Sequence, residues 1–66
     1  MQKRYNYAVW DNGEGLIVGI VTGGDPLSVT LQPIDGNEIT VPRSSTVTRN
    51  GTMNDVRAAH IIASGK

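Results

Sequence analysis

The residues that could bind a ligand are basic, aromatic and hydroxyl side chains spread along the chain. The candidate set is Tyr7, Trp10, Arg43, Arg49, Thr52, Arg57 and His60. Arginines would hold the charge of an anion, and an aromatic ring can stack on a base. These residues predict a small anionic, nucleotide-like ligand in a cleft between subunits, with the three arginines on its charge and Tyr7 or Trp10 stacked on it.

Thr52 adds a second reason to expect an anion. Thr52 followed by Asp55 has the spacing of a capping box, with Asp in place of the usual Glu or Gln. Free backbone N–H groups and the helix dipole coincide at a helix N-terminus, which favours negative charge. Arg49 lies just before this point. The alternative interpretation is an ordinary capped helix without a ligand.

No group of residues predicts a catalytic or metal centre. His60 is the only histidine, and no serine can be assigned to it from the sequence. A histidine on a helix face, at an interface or rim, is the alternative interpretation. The absence of cysteine excludes disulfides and thiolate metal sites. "GEGLIVG" opens a strand, whereas phosphate-binding fingerprints need a glycine loop before a helix. We therefore expect a non-enzymatic binding protein without cofactor or metal.

The charge balance makes nucleic-acid binding the alternative function. Six Lys and Arg residues balance six Asp and Glu residues, whereas proteins that grip phosphate backbones normally carry a basic excess. The charges are uneven, however, and three arginines fall in the second half of the chain. Near the start, tyrosines and Trp10 lie beside Lys3 and Arg4, a pattern typical of small barrels that bind single strands.

The length predicts one small domain over 1–66 that associates with copies of itself. A chain of 66 residues buries only roughly 60% of its unfolded surface. Small domains usually gain extra stability from disulfides, a metal or a partner subunit. Because disulfides and a metal site are excluded here, the partner subunit is the option that remains, and we expect a homo-oligomer.

"MQKRYNYAVW" lacks the apolar region of a signal peptide, and the apolar run 16–21 is too short to span a membrane. We expect a cytoplasmic protein.

Regularly spaced turn signals predict a mainly β fold. The signals are "DNGEG", "TGGDP", "IDGN" and "RNGT", in which Gly, Asn and Asp tolerate positive φ. The β-rich runs between them predict strands near 4–10, 16–22, 27–33, 37–42 and 46–49, with one 3-10 turn at "RSST". Alternation along the third run places Leu27, Val29 and Leu31 inward.

The tail is predicted to form a helix near 53–63, with a final strand at "HIIAS" as the alternative. Ala58 and Ala59 favour a helix, and Gly65 can end it. An apolar face extends over about half of the circumference. Its members are Met53, Val56, Ala59, Ile62 and Ala63. Such a helix must pack on something.

The second predicted strand is apolar on both faces, so both faces must be covered. A barrel interior would bury one of them. The tail helix or a neighbouring subunit would cover the other, since an exposed apolar patch favours aggregation. Gly19 in its middle indicates a bend, a bulge or the close approach of another backbone.

The order of these elements resembles the SH3-like small barrels. The resemblance covers residues 5–50: four meandering strands, a one-turn 3-10 helix after a proline, and a short fifth strand. "GLIVGIV" (15–21) and "EITVP" (38–42) are similar to strands of the type II, plasmid-borne trimethoprim-resistant dihydrofolate reductases. Their Val-Gln-Ile-Tyr active-site run is absent, because Glu38-Ile39-Thr40-Val41 stands there, so reductase activity is not implied.

The resemblance implies a five-stranded antiparallel barrel that assembles and uses clefts between subunits. Small stand-alone domains of this type are frequent on phages, plasmids and other mobile elements. We therefore expect a protein of such origin that sequesters a small molecule or inhibits a host protein.

Overall fold

The computed structural model describes residues 3–64 and contains five antiparallel strands followed by one helix. The strands are β1 (Arg4–Asp11), β2 (Leu16–Gly24), β3 (Ser28–Pro33), β4 (Ile39–Pro42) and β5 (Thr46–Thr52), and the helix is α1 (Met53–Ser64). A 3-10 helix at Arg43–Ser45 joins β4 to β5. The mainly β class, the 3-10 turn and the C-terminal helix are confirmed, and the alternative of a final strand is wrong. Gly65, the predicted helix stop, lies outside the described residues.

The five strands form one sheet in the order β4-β3-β2-β1-β5. The first four strands follow each other as a meander, and β5 returns to pair with β1. β4 and β5 therefore lie at opposite edges, and within residues 3–64 they do not pair with each other. The sheet is open, so the closed SH3-like barrel is not confirmed.

Helix α1 packs on one face of the sheet, which we call the helix face. The buried residues there are Tyr7, Val18 and Val56, with Val9, Ile20, Met53, Ala59 and Ala63 packed around them. The register pairs Tyr7 with Ile20 and Val9 with Val18, which places these side chains on the same face. Of the two coverings that the sequence left open for the second strand, the tail helix or a neighbouring subunit, the structure shows the tail helix on this face.

Ile62 is the exception to the predicted helix packing. Its side chain is 78% exposed, although the sequence pattern placed it on the packed face. Ile62 follows Val56 by six residues and therefore lies about 120° around the helix axis from it. The face of the helix that contacts the sheet is therefore narrower than the apolar face expected from the sequence.

The opposite face of the sheet, the inner face, has a core of its own. Ala8, Val29, Leu31 and Val41 are buried there, with partly buried Trp10, Val21 and Ile39 packed against them. In the part of the chain that the structure describes, no α-helix covers this face, because α1 lies on the other one. The inner side chains bury one another, and this requires the sheet to curl.

Two features of β2 accompany the curl. A Cβ atom placed on Gly19 would lie 3.0 Å from the backbone of Gln32 and Pro33 in β3. A β-bulge between Val21 and Gly23 shifts the pairing with β3, and bulges increase the local twist of a strand. The close backbone approach predicted at Gly19 is confirmed.

Two sequence predictions at the strand ends are wrong. Leu27, predicted to point inward, is 84% exposed, because the hairpin turn occupies this position and β3 begins only at Ser28. The predicted turn "RNGT" at 49–52 is part of β5. Pairing with β1 continues to Thr52 opposite Arg4, and this ladder keeps the segment extended despite its glycine.

The chain passes from β5 into α1 without a loop, and the predicted capping box is confirmed. The Thr52 amide donates to Asp55 Oδ2 at 2.8 Å, and the Asp55 amide donates to Thr52 Oγ1 at 3.4 Å. A Cβ atom on Gly51 would lie 2.6 Å from that carboxylate oxygen. Glycine at this position therefore leaves room for the cap.

Gly19→Val is expected to destabilise the fold by about 1–3 kcal/mol, the usual cost of overpacking, because the new Cβ meets the β3 backbone. Gly23→Val in the same strand is the matched control, since no atom lies within 4 Å of its Cβ position. Urea unfolding of both variants measures the difference. Equal stabilities would contradict the steric role of Gly19.

Candidate functional site

A groove of about 470 Å³ opens on the inner face and is bordered by β1, β5 and Arg43. Its lining consists of Asn6, Val21, Arg43, Thr48, Arg49 and Asn50. We call it the inner groove. Among the described residues, the lining contains two arginines and no carboxylate, and this charge favours an anion.

Two strands position the amide side chains of the inner groove. Asn6 in β1 and Asn50 in β5 are paired in the register, and Asn50 Nδ2 donates to Asn6 Oδ1 at 3.0 Å. Arg4 Nε in turn donates to Asn50 Oδ1 at 2.7 Å. These bonds fix the orientation of both amides and place a third arginine at the end of the groove.

Arg43 is held in place by the β2–β3 turn. Its Nε and Nη2 atoms donate to the Asp25 carbonyl at 3.1 and 2.7 Å, and Nη2 also donates to the Ser28 carbonyl at 3.2 Å. Within residues 3–64, Nη1 makes no hydrogen bond. A guanidinium carries five N–H donors in a planar fork, so the two donors on Nη1 remain for a ligand in a fixed position.

The turn that holds Arg43 is organised by Asp25. Its Oδ1 atom accepts hydrogen bonds from the Leu27 amide at 2.9 Å, the Ser28 hydroxyl at 2.9 Å and the Ser28 amide at 2.8 Å. These bonds, led by the one from Leu27, and the nearby charge of Arg43 hold the pKa of Asp25 below its ordinary value of 3.8.

Arg49 borders the groove from the outer edge of the sheet. It lies on β5 opposite Tyr7 in the register, so its side chain leaves the strand on the helix face, and Arg49 borders the inner groove only at the edge of the sheet. That side chain makes no hydrogen bond or ion pair with any other residue that the structure describes. Its guanidinium therefore keeps all its donors, but nothing fixes its position as the turn fixes Arg43. Arg49 can adjust to a ligand that Arg43 orients.

The structure separates the remaining candidates from this groove. Tyr7 is only 8% exposed in the core beneath α1, so its ring is not available for stacking. Thr52 caps α1, and Arg57 is exposed on that helix. Trp10 lies on the inner face, where its indole N–H donates to Ser45 Oγ at 3.1 Å, but it does not line the groove.

His60 lies in a different cavity, at the rim of an apolar cleft. Its Nε2 atom is 3.5 Å from Asp35 Oδ2. Sequence reasoning did not find this pair, because Asp35 belongs to the β3–β4 turn and only the packing of α1 brings them together. In residues 3–64 no group of three metal-ligating side chains is present, and no helix combines the length and apolar character that a membrane crossing needs.

Asn6, Thr48 and Asn50 are site residues that the sequence analysis missed. The alternation of side chains along a strand could have indicated them in part. It places Asn6 on the same face as Ala8, and Thr48 on the same face as Asn50. The alternation alone does not show that these two strands pair. That pairing is a long-range contact.

The stability that Asp25 contributes is expected to depend on pH. Because its folded pKa is depressed, the contribution is fully present above the unfolded value of 3.8 and is lost as the pH falls through the lower folded pKa. Asp25→Asn keeps an acceptor oxygen but no charge. Urea unfolding at neutral pH should show the wild type as more stable. This difference should disappear at strongly acidic pH, and a pH-independent difference would contradict the assignment.

Comparison of the chain with protein-family models, with curated proteins and with solved structures found no match.

Proposed function

We propose that this chain is a non-enzymatic binding protein whose inner groove takes a small phosphate-bearing ligand such as a nucleotide. The observation that carries the proposal is the lining of the groove, which has Arg43 and Arg49 and, in the part of the chain that the structure describes, no carboxylate. Its volume of about 470 Å³ falls within the range of small-molecule sites, about 300–1,000 Å³.

The fixed position of Arg43 supports an anion in particular. Its hydrogen bonds to the Asp25 and Ser28 carbonyls order the guanidinium before a ligand arrives, so binding loses less side-chain entropy. A phosphate oxygen would accept from Arg43 Nη1, while Arg49 supplies a second charge. The amide of Asn6 and the hydroxyl of Thr48 would bond the polar atoms of a sugar or base.

We expect adenosine monophosphate to bind in the inner groove and adenosine to bind much more weakly, because the arginines act on the phosphate. Arg49→Ala should weaken binding of the monophosphate by about tenfold, since a hydrogen bond to a charged group contributes about 1.5–3 kcal/mol. Calorimetric titration measures both ligands. Chemical-shift changes at Asn6, Thr48 and Asn50 would locate them.

Arg57→Ala is the matched control for Arg49→Ala. It removes the same charge from α1, at a residue that does not line the inner groove, and should leave the affinity unchanged. Equal losses in both variants would show that net charge alone attracts the ligand. Equal affinities for adenosine and its monophosphate would contradict the proposed role of the groove.

Single-stranded nucleic acid is the alternative ligand, and Arg4 is the observation that favours it. Arg4 is bonded to Asn50 and therefore extends the basic border beyond the groove. A strand that follows this border would contact several phosphates, and its affinity would rise with length and fall steeply with salt. Titration with oligothymidylates of increasing length distinguishes the two ligands.

We further propose that the protein self-associates, as expected for SH3-like barrels. The meander, the 3-10 helix after Pro42 and the pairing of β5 with β1 support that relationship. The outer edge of β5 pairs with no strand among the described residues, and an exposed strand edge is a template for another chain. Val47 on that edge and Ile61 on α1 are exposed apolar residues.

Light scattering over a range of concentrations is expected to give a mass that is a multiple of 7.1 kDa. Val47→Lys should reduce this mass if β5 forms the contact, because the charge cannot be buried without a partner. Ile61→Lys tests α1 in the same way and should reduce the mass if α1 forms the contact. A mass of one chain at every concentration would contradict self-association.

A further inference from the structure

A second cavity, distinct from the inner groove, lies between the second half of α1 and the turn that joins β3 to β4. We call it the His60 cleft. Its volume is about 290 Å³, and its apolar lining includes Leu16, Ile17, Pro33 and Ile39. A cavity of about 150 Å³ lined by apolar side chains holds a benzene molecule. The His60 cleft therefore has room for one ring with a short chain.

The polar groups of this cleft lie at its rim and carry one sign of fixed charge. Within residues 3–64, Asp35, Asn37 and His60 are the side chains there that can form hydrogen bonds, and no lysine or arginine of this range lines the cleft. The side chain of Asp35 is 87% exposed and that of His60 is 29% exposed. The carboxylate therefore stands in water at the mouth, while the imidazole forms part of the wall.

We propose that the His60 cleft binds a small amphipathic amine, with its apolar body between β2 and α1 and its ammonium group on Asp35. The charge of the lining selects this class, because the Asp35 carboxylate attracts a cation and repels an anion. The inner groove has the opposite lining, with arginines and no carboxylate from residues 3–64. The two cavities are therefore matched to ligands of opposite charge.

His60 contributes to the same recognition. Its Nε2 atom lies 3.5 Å from Asp35 Oδ2, so a neutral imidazole can accept a hydrogen bond from an ammonium group that has docked on the carboxylate. The flat ring also gives the cleft a wall against which an aromatic ligand packs. The position of His60 on α1 makes this helix part of the site.

Phenethylamine, its neutral analogue 2-phenylethanol and the anion 3-phenylpropanoate are the probes for this proposal. They share a phenyl ring on a short chain and differ in the charge of the head group. Titration of the isotope-labelled full chain, followed by amide chemical shifts, should show saturable changes at Ile17, Val18 and Ile39. We expect the amine to bind most tightly and the anion least.

Asp35→Asn should weaken phenethylamine binding by up to about fivefold, the upper end of the range for exposed ion pairs, and leave 2-phenylethanol binding unchanged. Glu38→Gln is the matched control. Glu38 follows in the same connection, but its carboxylate accepts from Thr22 Oγ1 at 2.7 Å and does not line the cleft. Thermal unfolding of both variants confirms that they fold.

Three outcomes would overturn the proposal. Equal affinity for the three probes would show that the charge of Asp35 does not discriminate between their head groups. The absence of shifts at the lining residues would show that the cleft takes no such ligand. Shifts at Ile17 and Ile39 that follow the protein concentration without any probe would show that a second copy of the chain fills the cleft.

Discussion

The fold depends on one constraint: the adjacent strands β1 and β2 are apolar on both faces, whereas the described chain contains a single α-helix. Helix α1 covers Val18 and Ile20 on one face. The other face has no second layer, so Ala8, Val29, Leu31 and Val41 must bury one another. A flat sheet cannot do this, and the sheet curls. The close approach at Gly19 and the bulge beside Val21 are where β2 accommodates the curvature.

The curl also explains why the two cavities differ. Toward the ends of β1 and β5, the inner face carries Asn6, Thr48 and Asn50 instead of apolar residues. The apolar core stops there, and the curved sheet leaves a polar groove open to solvent. The His60 cleft forms where α1 meets the β3–β4 turn, with apolar residues such as Ile17 and Ile39 in its wall. The inner groove is therefore polar and basic because it borders the polar ends of β1 and β5, and the His60 cleft is apolar because it borders the apolar core.

Local patterns in the sequence predicted the strands, the capping box and the helix, because alternation, turn residues and caps act over a few positions. Leu27 shows the limit of such patterns, since its place in the alternation predicted burial but the turn around Asp25 exposes it. The site was less predictable. The bond between Arg4 and Asn50 joins residues 46 positions apart, and the contact of His60 with Asp35 depends on how α1 docks. Neither contact can be predicted from a periodic pattern over neighbouring residues.

The pairing of β5 with β1 has a consequence for the order of folding. Strands β1 to β4 pair with their neighbours in the chain, whereas β5 must find β1 across most of the molecule. Closing a long loop costs entropy before any contact compensates for it, and such contacts slow folding. Since α1 follows β5 without a loop, the same slow step docks the helix on one side of β1 and completes the groove on the other.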